Sequence, residues 1–334
     1  MTAFSTTVFG RRRLGRPASA PAPGGESAGA SGAAPGFFRR LLARFGGRKR
    51  QRDAPLQLRP AKPFDSDATS STPFNIDFKG LERKGFIGRP YVRRRLARDM
   101  RAMRHRLLNR MNAYRLGGQG DEVLADTVVM VTSCWPGEGK TFTAVNLALS
   151  LILEDSIDVL LVDGDIVRPS LHKMFNIDGG LGLVNYLADD GPNLAPYLWR
   201  AENGRLTLLP AGATGESNRT LIRSGAMTRF MKDVSNRYSE RIVIIDTPPL
   251  LGGREAPLLA NYADHILFVV ECGRTSQSAV EDALDLLTTH DNVSLILNRC
   301  NEGDRLTSGG EGSYGYYRQQ SSPVGNVAAA SENG

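Results

Sequence analysis

Cysteine is scarce: Cys134, Cys272 and Cys300 are the three in 334 residues. Their wide spacing implies neither a disulfide framework nor a zinc site and suggests a reducing cytoplasm. Long apolar runs are also missing. The longest, around residues 128–131 and 144–153, fall short of the roughly 18 residues that a membrane helix requires. No secretory signal is expected, because Arg11, Arg12 and Arg13 follow the short Val8-Phe9 patch and no apolar core comes after them. Histidine is sparse too, and His105, His172, His265 and His290 lack ligand-like spacing. With 41% hydrophobic residues, 36 Gly and 18 Pro, the composition excludes a collagen or a wholly disordered chain and suits one or two soluble domains.

The net charge of +7 hides segments of opposite sign. Residues 1–62 sum to +11, residues 63–80 to −2, residues 81–115 to +10 and residues 116–334 to −12. An acidic body thus follows a strongly basic leader. Residues 1–75 are rich in Ala, Gly, Pro, Ser and Arg, which bury too little apolar surface to offset ordering entropy, so a disordered leader is expected there. Within it, Phe37-Phe38-Arg39-Arg40-Leu41-Leu42-Ala43-Arg44-Phe45 and Arg48-Lys49-Arg50 suit either a segment on an anionic membrane surface or a solvated basic linker. Nucleic acid is a poor candidate partner, since no recognition helix, zinc finger or RNP signature accompanies the charge.

Leu96, Met100, Met103, Leu107 and Met111 recur at helical spacing between Tyr91 and Tyr114, with arginines off that stripe. A basic amphipathic helix is expected within a segment spanning residues 76–118. Its apolar stripe either docks on the acidic body or makes a subunit or adaptor contact. From residue 119 to 303 the pattern becomes α/β. Buried strands are expected at residues 127–132, 158–162, 206–209, 242–245, 265–270 and 293–297, with helices at 141–153, 220–238 and 276–289. That alternation predicts a mostly parallel sheet flanked by helices.

The turn after the first of these strands reads Ser133-Cys134-Trp135-Pro136-Gly137-Glu138-Gly139-Lys140-Thr141-Phe142. A strand, a Gly-rich loop, Lys-Thr and a helix are the setting of a P-loop. There, backbone N–H groups cradle phosphates, Lys140 offsets β/γ charge and the Thr141 hydroxyl holds Mg²⁺. The strict motif is broken by Cys134 at its first Gly position. Two more strands end in Asp163-Gly164-Asp165 and in Asp246-Thr247-Pro248-Pro249. Carboxylates at the ends of parallel strands point into the crevice where ligands of open α/β sheets bind, and they supply the hard oxygen ligands that Mg²⁺ requires.

These motifs, with LTLLPAG and a C-terminal SYGYY, make residues 73–317 resemble the bacterial tyrosine kinases of capsule and exopolysaccharide biosynthesis, a branch of the ParA/MinD-like P-loop ATPases. The nearest group is the exosortase-associated tyrosine autokinases. The resemblance implies a P-loop NTPase fold, ATP and Mg²⁺ as cofactors, and a nucleotide site made of Pro136, Gly137, Glu138, Gly139, Lys140, Thr141 and Phe142. It makes Asn298 a reader of adenine. Lys140, Asp163, Asp165 and Asp246 become the catalytic set, and Thr141, Asp163, Asp165 and Asp246 the metal set. Tyr314, Tyr316 and Tyr317, in a flexible tail over residues 304–334, become phospho-acceptors for a neighbouring copy.

Division-site and partitioning ATPases carry a signature Lys where this chain has Trp135, which favours the kinase branch. Arg101 and Arg104 match two arginines of a ring-assembly contact whose Glu is Arg98 here. A membrane-embedded polysaccharide chain-length regulator is the implied activator, with the chain cytoplasmic and peripheral to the inner membrane through that partner. A nucleotide-driven ATPase switch without kinase activity is the alternative reading.

Overall fold

A computed structural model describes residues 5–9, 71–88, 94–115, 127–153, 157–189, 193–202, 204–213, 219–222, 225–237, 241–287, 290 and 292–300. Most of the leader, including residues 37–50, lies outside the described residues, as does the tail bearing Tyr314, Tyr316 and Tyr317. Among the described residues, no helix is long and apolar enough to cross a membrane.

The described strands are β1 (Ser5–Phe9), β2 (Thr72–Phe74), β3 (Val128–Ser133), β4 (Asp158–Asp163), β5 (Trp199–Ala201), β6 (Leu206–Leu209), β7 (Arg241–Asp246), β8 (His265–Glu271) and β9 (Val293–Asn298). They form one sheet in the order β1-β9-β8-β3-β7-β4-β6-β5-β2. Every pairing from β9 across to β6 is parallel, while β1 and β5 pair antiparallel with β9 and β6. The expected parallel sheet is present, with each of the six expected strands in it. Two short pieces of the leader also join it: β1 caps one edge on β9 and β2 caps the other on β5. Composition read both as unstructured, because a few residues of STTVF or TPF have no fold of their own. They become strands where a sheet edge supplies the partner N–H and C=O groups.

The helices are α1 (Phe78–Arg83), α2 (Arg94–Arg115), α3 (Lys140–Ile152), α4 (Leu171–Phe175), α5 (Leu183–Ala188), α6 (Arg219–Ile222), α7 (Gly225–Arg237), α8 (Glu255–Ala260) and α9 (Gln277–Asp285). The single helix expected over residues 220–238 is divided into α6 and α7. Strand side chains alternate between two apolar layers. Val128 and Met130 enter the layer under α5, α7, α8 and α9, whereas Val129 and Val131 enter the one under α2 and α3. Because both faces are covered, the strands read as continuous apolar runs and not as an alternation.

The stripe on α2 docks on the body. Leu96, Met100, Met103, Leu107 and Met111 are buried together with Ala144, Leu147 and Leu151 of α3. Leu107 is wholly buried, and truncating such a side chain costs about 2–5 kcal/mol. Arg104 is buried as well: its Nη1 donates to the Ser150 carbonyl at 2.8 Å and to Ser150 Oγ at 3.1 Å. The arginine matched to a ring contact therefore ties α2 to α3 within this copy, while Arg98 and Arg101 are exposed.

Candidate nucleotide and phosphotransfer site

The site lies at the C-terminal ends of β3, β4 and β7, the centre of the sheet. Beyond β3 the chain turns through Gly137 (φ +87°) and Gly139 (φ +101°), conformations that an L side chain rarely adopts. At Gly139 a Cβ would also run into Asn298 Nδ2, so a side chain there would be strained and would displace the Asn298 amide. Gly139 is the N-cap of α3, whose first turn has no side-chain cap. Uncapped N–H groups at the start of a 13-residue helix suit a phosphate anion. Lys140 opens this helix and is buried to within 7% of its surface.

Asp163 and Asp246 end neighbouring parallel strands and are paired in register. Both are buried, at 0% and 1% exposure. One oxygen of Asp163, Oδ2, accepts from the backbone N–H groups of Ser170 and Leu171, each at 3.0 Å. Among the described residues, its Oδ1 and both carboxylate oxygens of Asp246 have no hydrogen-bond partner. Burial pushes the Asp163 carboxyl up to about 7, against the pull of those two amides. The Asp246 carboxyl is pushed up to about 8, first by burial and then by the Asp163 charge; the Thr141 hydroxyl and the Lys140 ammonium pull the other way. Thr141 thus faces Asp246 without making a hydrogen bond of ordinary geometry. Polar oxygens left unpaired in a dry interior are costly, and a site that awaits a cation and phosphates is one place where such a cost is kept.

Asp165 is placed differently. It is only partly buried, and its Oδ1 accepts from the Arg168 N–H at 3.0 Å, closing the turn after β4. Among the described residues, no three acidic, His or Cys side chains converge on one point as a metal cage would require. Of the expected metal set, Asp246 faces Thr141 and stands beside Asp163 on the neighbouring strand, while Asp165 is engaged in the turn after β4. Mg²⁺ suits such a sparse set, because it usually keeps several waters and takes one or two carboxylates together with substrate phosphates.

The remaining loop residues divide by task. Pro136 and Gly137 are exposed, and Trp135 is 46% exposed. Phe142 turns away from the loop and stacks on Phe86, with ring centroids 5.0 Å apart. Next to it, Asn146 on α3 accepts the Ile87 N–H at 2.8 Å. Glu138 is buried: its Oε2 accepts the Trp135 N–H at 2.9 Å and its Oε1 accepts the Thr275 hydroxyl. Asn298 is also turned onto the loop. Its Nδ2 donates to the Glu138 carbonyl at 2.8 Å and its Oδ1 accepts the Arg299 N–H at 2.8 Å. Glu138, Phe142 and Asn298 were expected to line the nucleotide; the structure engages each with protein partners. Cys134 is buried, donates to the Ala279 carbonyl at 3.5 Å and has its thiol pKa raised by burial, so it packs the loop as an inert thiol.

Sequence reasoning missed the groups that hold the strand ends together. Thr132 Oγ1 donates to the Pro248 carbonyl at 3.1 Å, and Thr247 Oγ1 to the Val131 carbonyl at 3.0 Å, which stitches β3 to β7 beside Asp246. Thr275 carried no signal, because its contact with Glu138 spans 137 positions.

A ParA family model, described as NUBPL iron-transfer P-loop NTPase, matches residues 125–293, just over half of the chain. The tyrosine-protein kinase YwqD of Bacillus subtilis is 31% identical over 189 residues, which cover 57% of this chain and 76% of YwqD. The succinoglycan biosynthesis transport protein ExoP of Rhizobium meliloti is 31% identical over 192 residues, covering 54% of this chain but 23% of ExoP. The kinase domain of the Escherichia coli tyrosine kinase ETK shares the fold, with a TM-score of 0.53 at 22% identity over 72% of this chain and 86% of that domain. A glycine-turned loop leading to Lys140, with paired carboxylates at the ends of β4 and β7, is thus found in a chain that belongs to the ParA-type P-loop NTPases and, within them, to the bacterial tyrosine-protein kinases.

Proposed function

We propose that this kinase transfers the γ-phosphoryl group of ATP to tyrosine hydroxyls, chiefly Tyr314, Tyr316 and Tyr317 of a neighbouring copy, and so regulates exopolysaccharide synthesis or export. The observation that carries the reading is the set of orphaned carboxylate oxygens on Asp163 and Asp246, buried beside the uncapped start of α3. The P-loop backbone from Gly137 to Thr141 binds the phosphates, and Lys140 offsets their charge. Asp246 and Thr141 would hold Mg²⁺, which would supply further charge neutralisation on the phosphates when bound, and Asp163 Oδ1 is left free for proton transfer.

The phenolic oxygen attacks the γ-phosphorus as the bond to the β–γ bridging oxygen breaks, and the phenol proton passes to Asp163 Oδ1. A free phenol has a pKa of about 10, so a proton acceptor placed near it helps at neutral pH. The Asp163 carboxyl, raised to about 7, is matched to that task, while Asp165 shapes the turn that presents it. Each phosphotyrosine adds about −1.5 to −2 charges next to a chain whose leader is strongly basic, so phosphorylation alters self-association. The partner is a membrane-embedded chain-length regulator that activates the kinase and keeps it peripheral to the inner membrane; the basic leader adds contact with anionic lipid.

The test is intact-mass and anti-phosphotyrosine analysis of the full chain with Mg·ATP and an activator fragment. Wild type is run beside Lys140→Met and a Tyr314/Tyr316/Tyr317→Phe triple variant. Phosphate on the tail, absent from both variants, is the expected result. ATP hydrolysis without phosphotyrosine would replace this reading with the nucleotide-driven switch.

A further inference from the structure

Glu138 is the one carboxylate of the phosphate loop, and its bonds are all to protein groups. Its Oε2 takes the Trp135 N–H, its Oε1 takes the Thr275 hydroxyl and its backbone carbonyl takes the Asn298 amide. The first closes the loop after β3 on itself, and the other two tie that loop to the loop after β8 and to the end of β9. Thr275 in turn is directed: its Oγ accepts the Glu271 N–H at 3.2 Å, which leaves its proton aimed at Glu138. Its backbone N–H bonds to the Glu271 carbonyl at 3.1 Å, so the hydroxyl is fixed from both sides. The Glu271 carboxylate is anchored by Arg299 Nη1 at 2.9 Å. Asn298 approaches the loop closely only because Gly139 has no Cβ, and its own oxygen holds the Arg299 N–H with Arg299 at φ +57°. Glu138 and Thr275 are 3% and 4% exposed, so water does not replace a lost bond cheaply.

We propose that Thr275, acting through Glu138, is a positioning residue that holds the phosphate-binding loop in its anion-accepting shape and thereby sets the affinity for nucleotide. The proposal deepens the kinase reading and rests on it. Thr275 lies in the loop after β8, outside the phosphate-binding loop itself. Its hydroxyl fixes Glu138, and Glu138 fixes the Trp135 N–H on one side of Gly137 and its own carbonyl on the other. Without the hydroxyl, the loop samples shapes in which its N–H groups diverge, and bound nucleotide has to restore the productive one. The loss falls on binding, because Asp163 and Asp246 are on other strands and Lys140 is held by the first turn of α3, beyond the part of the loop that Glu138 braces.

The experiment uses the full chain and titrates Mg·ADP by calorimetry, with KM for ATP and kcat measured on the same preparations. Thr275→Val keeps the shape and removes the hydroxyl; Thr275→Ser restores it. Thr275→Val is expected to weaken Mg·ADP binding about tenfold and to raise KM by a similar factor, with kcat at saturating ATP within about threefold of wild type. Thr275→Ser is expected within about twofold of wild type. Glu138→Gln, which keeps an acceptor for the Trp135 N–H, is the second variant, used if Thr275→Val fails to fold by circular dichroism, and is expected to fall between the two. Unchanged affinity in a folded Thr275→Val or Glu138→Gln protein overturns the proposal, as does a loss confined to kcat. Wild type that binds no Mg·ADP would instead overturn the nucleotide site itself.

Discussion

Two buried acidic groups flank Lys140 and are solved in opposite ways. Among the described residues, Asp163 and Asp246 leave three oxygens without partners, while Glu138 has both of its oxygens bonded to protein donors. All three residues are nearly inaccessible, so burial by itself does not separate a working carboxylate from a structural one. Satisfaction does. A carboxylate bonded through both oxygens to protein donors is a brace, and one whose buried oxygens meet no protein donor among the described residues, beside a lysine and a helix start, is placed to take a ligand.

The contrast is broken most severely at the lysine between the two. Lys140→Met should lower tyrosine phosphorylation by about 10²–10³-fold, with little change in the circular dichroism spectrum, because methionine keeps an unbranched apolar stem and removes the charge. Radiolabel transfer from ATP to tyrosine checks it.

Asp246→Asn should act in two directions. Phosphoryl transfer falls by about 10²-fold, yet without nucleotide and Mg²⁺ the variant is more stable than wild type, melting a few degrees higher. The sign follows from the raised carboxyls. Between pH 4 and 8 the unfolded Asp246 has lost its proton and the folded one retains it, so folding stability declines as pH rises through that window. The variant should show a shallower decline, which melting curves at pH 5 and pH 8 will measure. An unchanged slope would mean that the orphaned oxygens carry no cost.

Arg104 tests the satisfied side of the contrast, away from the site. Arg104→Met removes the two bonds to Ser150 and should cost about 1–3 kcal/mol in urea unfolding while leaving ATP affinity as it was. If ATP binding falls with it, α2 is part of the site and not only its support.

His265 gives the smallest effect and the sharpest limit on the argument. Among the described residues its Nε2 is also without a partner, but it lies at the start of β8, at the end of the strands opposite the site. Burial, helped by the Arg110 charge, pushes its pKa down to about 4. Above pH 6.5 the ring is neutral in both states; as pH falls from about 6.5 to 4 the unfolded ring gains a proton that the folded one refuses, and stability is lost. The loss is of the order of 1–3 kcal/mol, and His265→Gln should flatten it in urea titrations at pH 7.5 and pH 5 with activity at pH 7.5 unaffected. An orphaned polar atom is thus a site only where a cation, a helix start or a second carboxylate stands with it.

What could be read from the order of residues was whatever depends on neighbours in the chain. The strand-loop-helix around Lys140, the Asp residues closing β4 and β7, the stripe of α2 and the six central strands each declare themselves within about twenty residues, because strand burial and helical periodicity are local patterns. The kinase kinship follows from the same local motifs. Whether a predicted ligand faces the nucleotide or the protein is not local. Glu138 finds Thr275 137 positions away and Asn298 160 positions away; Phe142 is spent on Phe86, and Arg104 on Ser150. The edge strands β1 and β2 likewise exist only because β9 and β5 offer open hydrogen-bonding edges. The sequence by itself determined which chemistry is present and on which strand ends it stands. Only the tertiary structure decided which of those groups stay unpaired, since pairing depends on what the folded chain brings within 3 Å and how completely it excludes water.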